Sequence, residues 1–120
     1  LNRAERGRGG EQLAWDHLRR AGYRLVARNV RSRLGEIDLV VERGDVLVFV
    51  EVRTRSGRRF GTALESIDGR KRRQVARLAA QFLAQRRLDD RRARFDVVAV
   101  EWQDGAPNIE HVENAFEVAE

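Results

Sequence analysis

The stretch from Gly35 to Arg55, GEIDLVVERGDVLVFVEVRTR, constrains the fold more than any other part of the chain. Apolar, mostly β-branched residues fill two runs, Ile37, Val40 and Val41, then Val46, Val48, Val50 and Val52. Arg43-Gly44-Asp45 separates them, and a Gly-Asp step between such runs predicts a hairpin. Two acids do not suit a plain buried hairpin: Asp38 falls mid-way along the first run and Glu51 near the end of the second, both flanked by aliphatic residues. A carboxylate inside a sheet core is costly unless it has a partner or a metal.

Strand side chains alternate, so Glu36 and Asp38 are predicted to share one side of the first strand, with Ile37 and Leu39 on the other. Glu51 and Arg53 share a side with Phe49, opposite Val48, Val50 and Val52. If the acidic sides coincide, Asp38, Glu51 and Arg53 cluster at one end of the hairpin. Two readings follow. Carboxylate oxygens with a backbone carbonyl and waters suit Mg²⁺ or Mn²⁺. A half-exposed strand face with cross-strand ion pairs to arginines accounts for the same pattern.

Charge narrows the class of partner. The 120-residue chain carries a formal net charge of +5, and Lys71 is its only lysine among 24 basic residues. Arginine richness alone says little, but its placement says more. Arginines crowd Arg3 to Arg8, Arg53 to Arg59 and Arg70 to Arg77, whereas Glu36, Asp38, Glu42, Asp45 and Glu51 gather in the hairpin. A basic surface around an acidic pocket suits a polyanion held near a metal, with a merely solvated basic face as the alternative. The length predicts one domain over 1–120. The sequence has no cysteine, which removes disulfides and thiolate metal sites. No apolar run approaches a membrane span and no signal-peptide pattern opens the chain, so the expectation is a cytoplasmic protein with no membrane partner. The lack of an initiating methionine is read as missing or processed N-terminal residues.

Around the hairpin the pattern predicts a mobile basic arm over 1–9 and a helix from about Gly10 to Ala21 with Ala14, Leu18 and Ala21 on one stripe. Glu11 lies on that stripe, placed either to join a metal site or to satisfy the helix dipole. His17 borders it as a packing or capping residue, and Gly22 is a C-cap. Tyr23–Val30 alternates as a strand. Thr54–Thr62 (TRSGRRFGT) is a basic loop whose Arg55, Arg58 and Arg59 are candidate phosphate contacts, with Phe60 as core anchor or stacking platform. Asp68 is a predicted N-cap for a helix from Gly69 to about Arg87, buried along Val75, Leu78, Ala79, Phe82 and Leu83. Lys71 leans toward the sheet or snorkels at the helix start. Gln74 flanks it, while Arg70, Arg73 and Arg77 lie on the outer side. Arg94–Glu101 is a strand whose Asp96 is read as a structural acid, paired with an arginine of the first helix or loop. Asp104–Pro107 is a turn, and Ile109–Phe116 a short strand or packed tail.

This order of helix, three strands, helix, strand and tail predicts an α/β fold with a mixed central sheet flanked by helices. With Gly35-Glu36-Ile37-Asp38 and Val50-Glu51-Val52-Arg53 it resembles the restriction-endonuclease-like core of the PD-(D/E)xK nuclease superfamily. Gly10-Glu11 with Leu13-Ala14, GEIDLV, VFVEVRTR, Phe60-Gly61, Ser66-Ile67 before Lys71, RFDVVAV and Asn114-Ala115-Phe116 together resemble the YraN family. That family comprises small bacterial proteins of unestablished function, often described as Holliday-junction-resolvase-like. The resemblance implies Mg²⁺- or Mn²⁺-dependent cleavage of branched or damaged DNA in repair or recombination, and a homodimer. It implies Asp38, Glu51 and the Val52 carbonyl as metal ligands, with Glu11 reaching the metal directly or through water. The superfamily lysine two residues after the second acid is Arg53 here, and Lys71 is the candidate to supply the missing ammonium. Arg55, Arg58, Arg59, Arg70, Arg73 and Gln74 are then the expected nucleic-acid contacts. The alternative is a non-catalytic nucleic-acid-binding module that keeps the fold.

Overall fold

The protein is described here from a computed structural model covering residues 3–56 and 67–116, with residues 3–8 and 55–56 followed by backbone alone. Among the described residues the elements run α1 Arg3–Arg20, β1 Arg24–Ser32, β2 Gly35–Arg43, β3 Val46–Ser56, α2 Gly69–Gln85, β4 Arg92–Gln103 and β5 Ala106–Val112. The strands form one sheet in the order β1-β2-β3-β4-β5. Among the described strands only β3 and β4 run parallel, joined by the crossover that contains α2; the other pairings are antiparallel. This is the mixed α/β, restriction-endonuclease-like arrangement expected from the sequence, with the tail as a fifth strand.

The hairpin forms through a two-residue loop, Gly44-Asp45, between paired Arg43 and Val46. Gly44 takes a φ of +62°, a left-handed conformation whose twist matches that of the flanking strands. The β4–β5 loop repeats the device with Asp104 and Gly105 at φ of +51° and +79°. It is tighter than the expected turn, so Ala106 and Pro107 already belong to β5. Pro107, which has no N–H to donate, is tolerated there because β5 is an edge strand.

Among the described residues, one helix packs on each face of the sheet. Ala14 and Leu18 of α1 pack on Leu39, Val41, Val48, Val50, Val98 and Val100. Val75, Leu78, Ala79 and Phe82 of α2 pack on the opposite face with Val40, Leu47, Phe49 and Val97. The buried stripe of α2 is the predicted one, and the Asp68 carboxylate caps it by accepting from the Lys71 N–H at 2.9 Å. No helix among the described residues is long and apolar enough to cross a membrane.

Several local expectations need correction. α1 begins at Arg3, so the basic stretch taken as an arm before the helix forms its first turns; the helix-favouring Arg, Ala and Glu of that stretch outweigh its glycines. Ala21 is exposed beyond the helix end, where Gly22 at φ +95° turns the chain into Tyr23. β1 does not alternate cleanly, because a register shift between Leu25 and Ala27 interrupts its pairing with β2. Asp96 is structural, as expected, but its partners lie elsewhere. Fully buried, it accepts from Arg94 Nε and Nη2, each at 2.8 Å, from the Asn114 N–H at 3.0 Å, and bonds His111 Nε2 at 2.6 Å. The Arg94 guanidinium also donates to the Tyr23 hydroxyl, so this network ties β4, β5 and the α1–β1 connection together.

Candidate metal and phosphate site

The two hairpin acids meet where β2 and β3 separate. Their ladder pairs Arg43 with Val46 through to Leu39 with Val50, and stops there. One step further, Asp38 and Glu51 would face each other across a continued ladder. Instead, the Asp38 side chain replaces the missing strand: its Oδ2 accepts the Val52 N–H at 2.8 Å. β2 also loses strict alternation here, with Ile37 packed in the α2-side core and Leu39 in the α1-side core. The opposing faces predicted for Glu36–Asp38 and Ile37–Leu39 therefore do not hold, because β3 no longer holds this end of β2 in register.

Glu51 projects from β3 on the α2 side; its ladder partner in β4, Val97, belongs to that core layer. Its side chain is 7 % exposed, and both nearby cations sit at one oxygen: Lys71 Nζ and Arg53 Nη2 each lie 3.7 Å from Oε1. The other oxygen, Oε2, is buried without a hydrogen-bond partner among the described residues, and so is Arg53 Nε. Lys71 thus leans toward the sheet rather than snorkelling outward.

Burial raises the pKa of Glu51 first, and the adjacent Asp38 charge raises it further, to about 7, against the opposing pull of Lys71 and Arg53. Asp38 is also raised by burial, an effect partly countered by the Val52 N–H. Glu11 belongs to the same field. Burial, then Asp38, then Glu36 raise its pKa. α1 carries Glu11 to this end of the sheet because Gly10 lies directly on Thr54, where a Cβ would come within 2.2 Å of the Thr54 Oγ1. Only glycine allows that approach.

Sequence reasoning overlooked Asn29. It adopts a left-handed φ of +50°, and with its amide nitrogen turned inward it donates to Glu36 Oε1 at 2.8 Å and Glu11 Oε1 at 3.0 Å. An Asn inside a strand pattern is the only signal in the sequence that could have flagged it. Glu101 was also passed over: it is buried and faces Arg55 in the β3–β4 ladder.

The acids are near neighbours rather than a cage. Among the described residues no group of three or more His, Asp or Glu is gathered closely enough to hold an ion by side chains alone. Two carboxylates, one of them with a buried free oxygen, fit Mg²⁺ or Mn²⁺, which keep several waters and need few protein ligands. The contact given to Val52 runs through its N–H.

The predicted nucleic-acid contacts divide. Arg70 and Arg73 are exposed on the outer face of α2, with Gln74 half-buried beside them. Arg58 and Arg59 lie outside the described residues, as does the Arg55 side chain. Elsewhere arginines are neutralised: Arg24 and Arg91 pair with Glu42, Arg92 with Asp45, and Arg31 with Glu36.

Comparison with known proteins agrees over nearly the whole chain. A family model described as "Uncharacterised protein family UPF0102" matches residues 10–100. A UPF0102 protein of Moorella thermoacetica is 49 % identical over 119 residues, covering 97 % of this chain and 98 % of its own. One from Symbiobacterium thermophilum is 50 % identical over 111 residues, covering 92 % and 94 %. One from Pseudomonas aeruginosa is 47 % identical over 116 residues, covering 94 % and 93 %.

Proposed function

The chain belongs to the UPF0102 family, the YraN group that its motifs resemble, and from that premise we propose that it is a divalent-cation-dependent nuclease that hydrolyses phosphodiester bonds in branched or damaged DNA. The observation that carries this reading is the Glu51 carboxylate, buried with one oxygen unpartnered and the other beside two cations, next to a second buried acid. An unpaired carboxylate oxygen in a sheet interior destabilises the fold and is retained where it has a ligand to bind.

In this proposal Asp38, Glu51 and the Val52 carbonyl hold Mg²⁺ or Mn²⁺, with Glu11 close enough to add charge or a water-mediated contact. The ion supplies Lewis-acid stabilisation of phosphoryl charge and a coordinated water of lowered pKa. Asp38 keeps its orientation through the Val52 N–H at Oδ2, and Oδ1 is the oxygen assigned to the ion. Arg53 is permanently charged, so it cannot serve as a base and acts by donating to a phosphoryl oxygen. Lys71 brings the ammonium that the superfamily places at the position of Arg53. A homodimer suits a two-fold junction, since paired cuts need two sites.

Fluorescent duplex, flap and four-way-junction DNA incubated with the protein in Mg²⁺ and in Mn²⁺ tests the reading. Cleavage is expected, with Asp38→Ala and Lys71→Ala both inactive and Arg53→Lys at or above wild-type rate. Cleavage that survives in Asp38→Ala defeats it.

A second reading, a nucleic-acid-binding module without turnover, draws on the stripe of exposed arginines on α2. Arg70, Arg73 and Arg77 have no acidic partner among the described residues, unlike the arginines at the other end of the sheet. Binding measured in EDTA against salt should lose about one unit of log–log slope per arginine removed from this stripe, and none for Arg92→Gln. DNA bound but never cleaved in any metal would favour this reading.

A further inference from the structure

The terminal motif Asn114-Ala115-Phe116 has no part in the site as described, yet it is tied down at every residue. Asn114, at φ +50°, gives its N–H to the buried Asp96 carboxylate at 3.0 Å. Ala115 gives its N–H to the Phe95 carbonyl at 2.8 Å. These two bonds carry the chain off β5 and across the start of β4. Phe116 then enters the α2-side core, 5 % exposed, and stacks on Phe95 with ring centroids 5.1 Å apart. Phe95 in turn stacks on Phe49 of β3 at 5.7 Å.

What rests on Phe116 is the first turn of α2. The Arg72 guanidinium lies 5.5 Å from the Phe116 ring centroid, and its Nε donates to the Ile67 carbonyl at 3.0 Å. Ile67 is 1 % exposed and shares a core cluster with Phe116 and Val75. Asp68, which follows it, caps the helix at the Lys71 N–H. The helix start is therefore fixed by its own cap and by an aromatic seat from the segment after β5. Lys71, in the same turn, has its ammonium 3.7 Å from Glu51 Oε1.

We propose that Phe116, through Arg72, is a positioning residue that holds the first turn of α2 so that Lys71 stays on Glu51. The proposal rests on Lys71 belonging to the site and deepens that reading; it needs neither metal nor DNA. A lysine side chain is long and flexible, and a contact at 3.7 Å persists only if the backbone that carries it is fixed. β5 and the Asp96 network then gain a role beyond closing the sheet edge, since they deliver Phe116 to its seat.

Because Lys71 is the only lysine, a zero-length carbodiimide crosslink reads the juxtaposition directly. The reagent joins the Lys71 amine to the Glu51 carboxylate as an amide with loss of water, and peptide mass spectrometry measures the yield. Metal-free wild-type protein is expected to give the Lys71–Glu51 crosslink. Phe116→Ala and Arg72→Gln should lower its yield several-fold, and Phe116→Tyr should restore it. Val98→Ala, which weakens the core layer on the other face, serves as the control for general loss of stability and should leave the yield near wild type. If Phe116→Ala does not fold, Phe116→Leu and Arg72→Gln carry the same test. Wild-type yield in folded Phe116 and Arg72 variants, or equal loss in Val98→Ala, overturns the proposal. Neither outcome bears on hydrolysis, which the cleavage assay with Asp38→Ala decides separately.

Discussion

Mn²⁺ titrated calorimetrically into the wild-type protein at pH 8 should bind, and Asp38→Ala or Glu51→Gln should remove the binding. Each substitution takes away one of the two carboxylates that the proposal assigns as direct ligands, so the remaining oxygens are too few to compete with water. The proton makes the prediction sharper. Glu51 has a pKa of about 7 in the metal-free protein, raised mainly by burial and then by Asp38. An ion must displace that proton, because a coordinating carboxylate has to be ionised. Above pH 7 the site is ready, and affinity should be nearly flat. Below pH 7 affinity should fall by about tenfold per unit, the signature of one competing proton. Titrations at pH 6 in buffers of different ionisation enthalpy should then report proton release on binding. An isotherm that Asp38→Ala leaves intact, or that ignores pH between 5.5 and 7.5, would mean the ion sits elsewhere.

Why part of this was legible from the sequence comes down to periods and chemistry of short range. Val46, Val48, Val50 and Val52 alternate strictly, and the strand they predict exists with Glu51 on the predicted side. The stripe Val75, Leu78, Ala79 and Phe82 has the helical period, and with the Asp68 cap it put Lys71 beside the sheet-facing stripe, with its ammonium leaning in or snorkelling out. What failed depended on distant residues. Asp38 departs from simple alternation because β3 leaves β2 at that point, and nothing within Gly35–Arg43 records where a neighbouring strand stops pairing. Asp96 was rightly read as structural, but its partners Arg94, His111 and Asn114 come together only when β5 folds onto β4. Asn29 meets Glu11 and Glu36 through a left-handed backbone conformation inside β1, where residues from α1 and β2 come together. Local pattern gave the elements; contacts across long sequence separation decided the site.

The same Glu51 that makes the site is expected to weaken the metal-free protein, and Glu51→Gln should be more stable than wild type at pH 8 in EDTA. A carboxyl whose folded-state pKa is raised binds its proton more tightly in the native state than in the unfolded chain. Its contribution is therefore most favourable below the unfolded value of 4.5 and is lost as pH rises through about 7. The difference between those two values corresponds to at most about 3 kcal/mol at pH 8, at 1.36 kcal/mol per unit. Gln keeps the shape and removes the charge, so it escapes this penalty. It also takes the counter-ion from Arg53 and Lys71, which offsets part of the gain. A rise in melting temperature of about 5 °C is a reasonable size for a net gain between 1 and 2 kcal/mol in a domain of this length. At pH 4 both side chains are neutral in the native state, and the gap should close. Excess Mn²⁺ at pH 8 should reverse the order, since an ion that binds only the folded wild type stabilises it and leaves Glu51→Gln unchanged. A Glu51→Gln protein less stable than wild type at pH 8 without metal would show that the carboxylate is held there for the fold, by its two cations, and the case for an ion site would lose its main support. The expected reversal instead marks Glu51 as a residue whose burial harms the empty protein and benefits the loaded one, which is how a binding site differs from a structural ion pair.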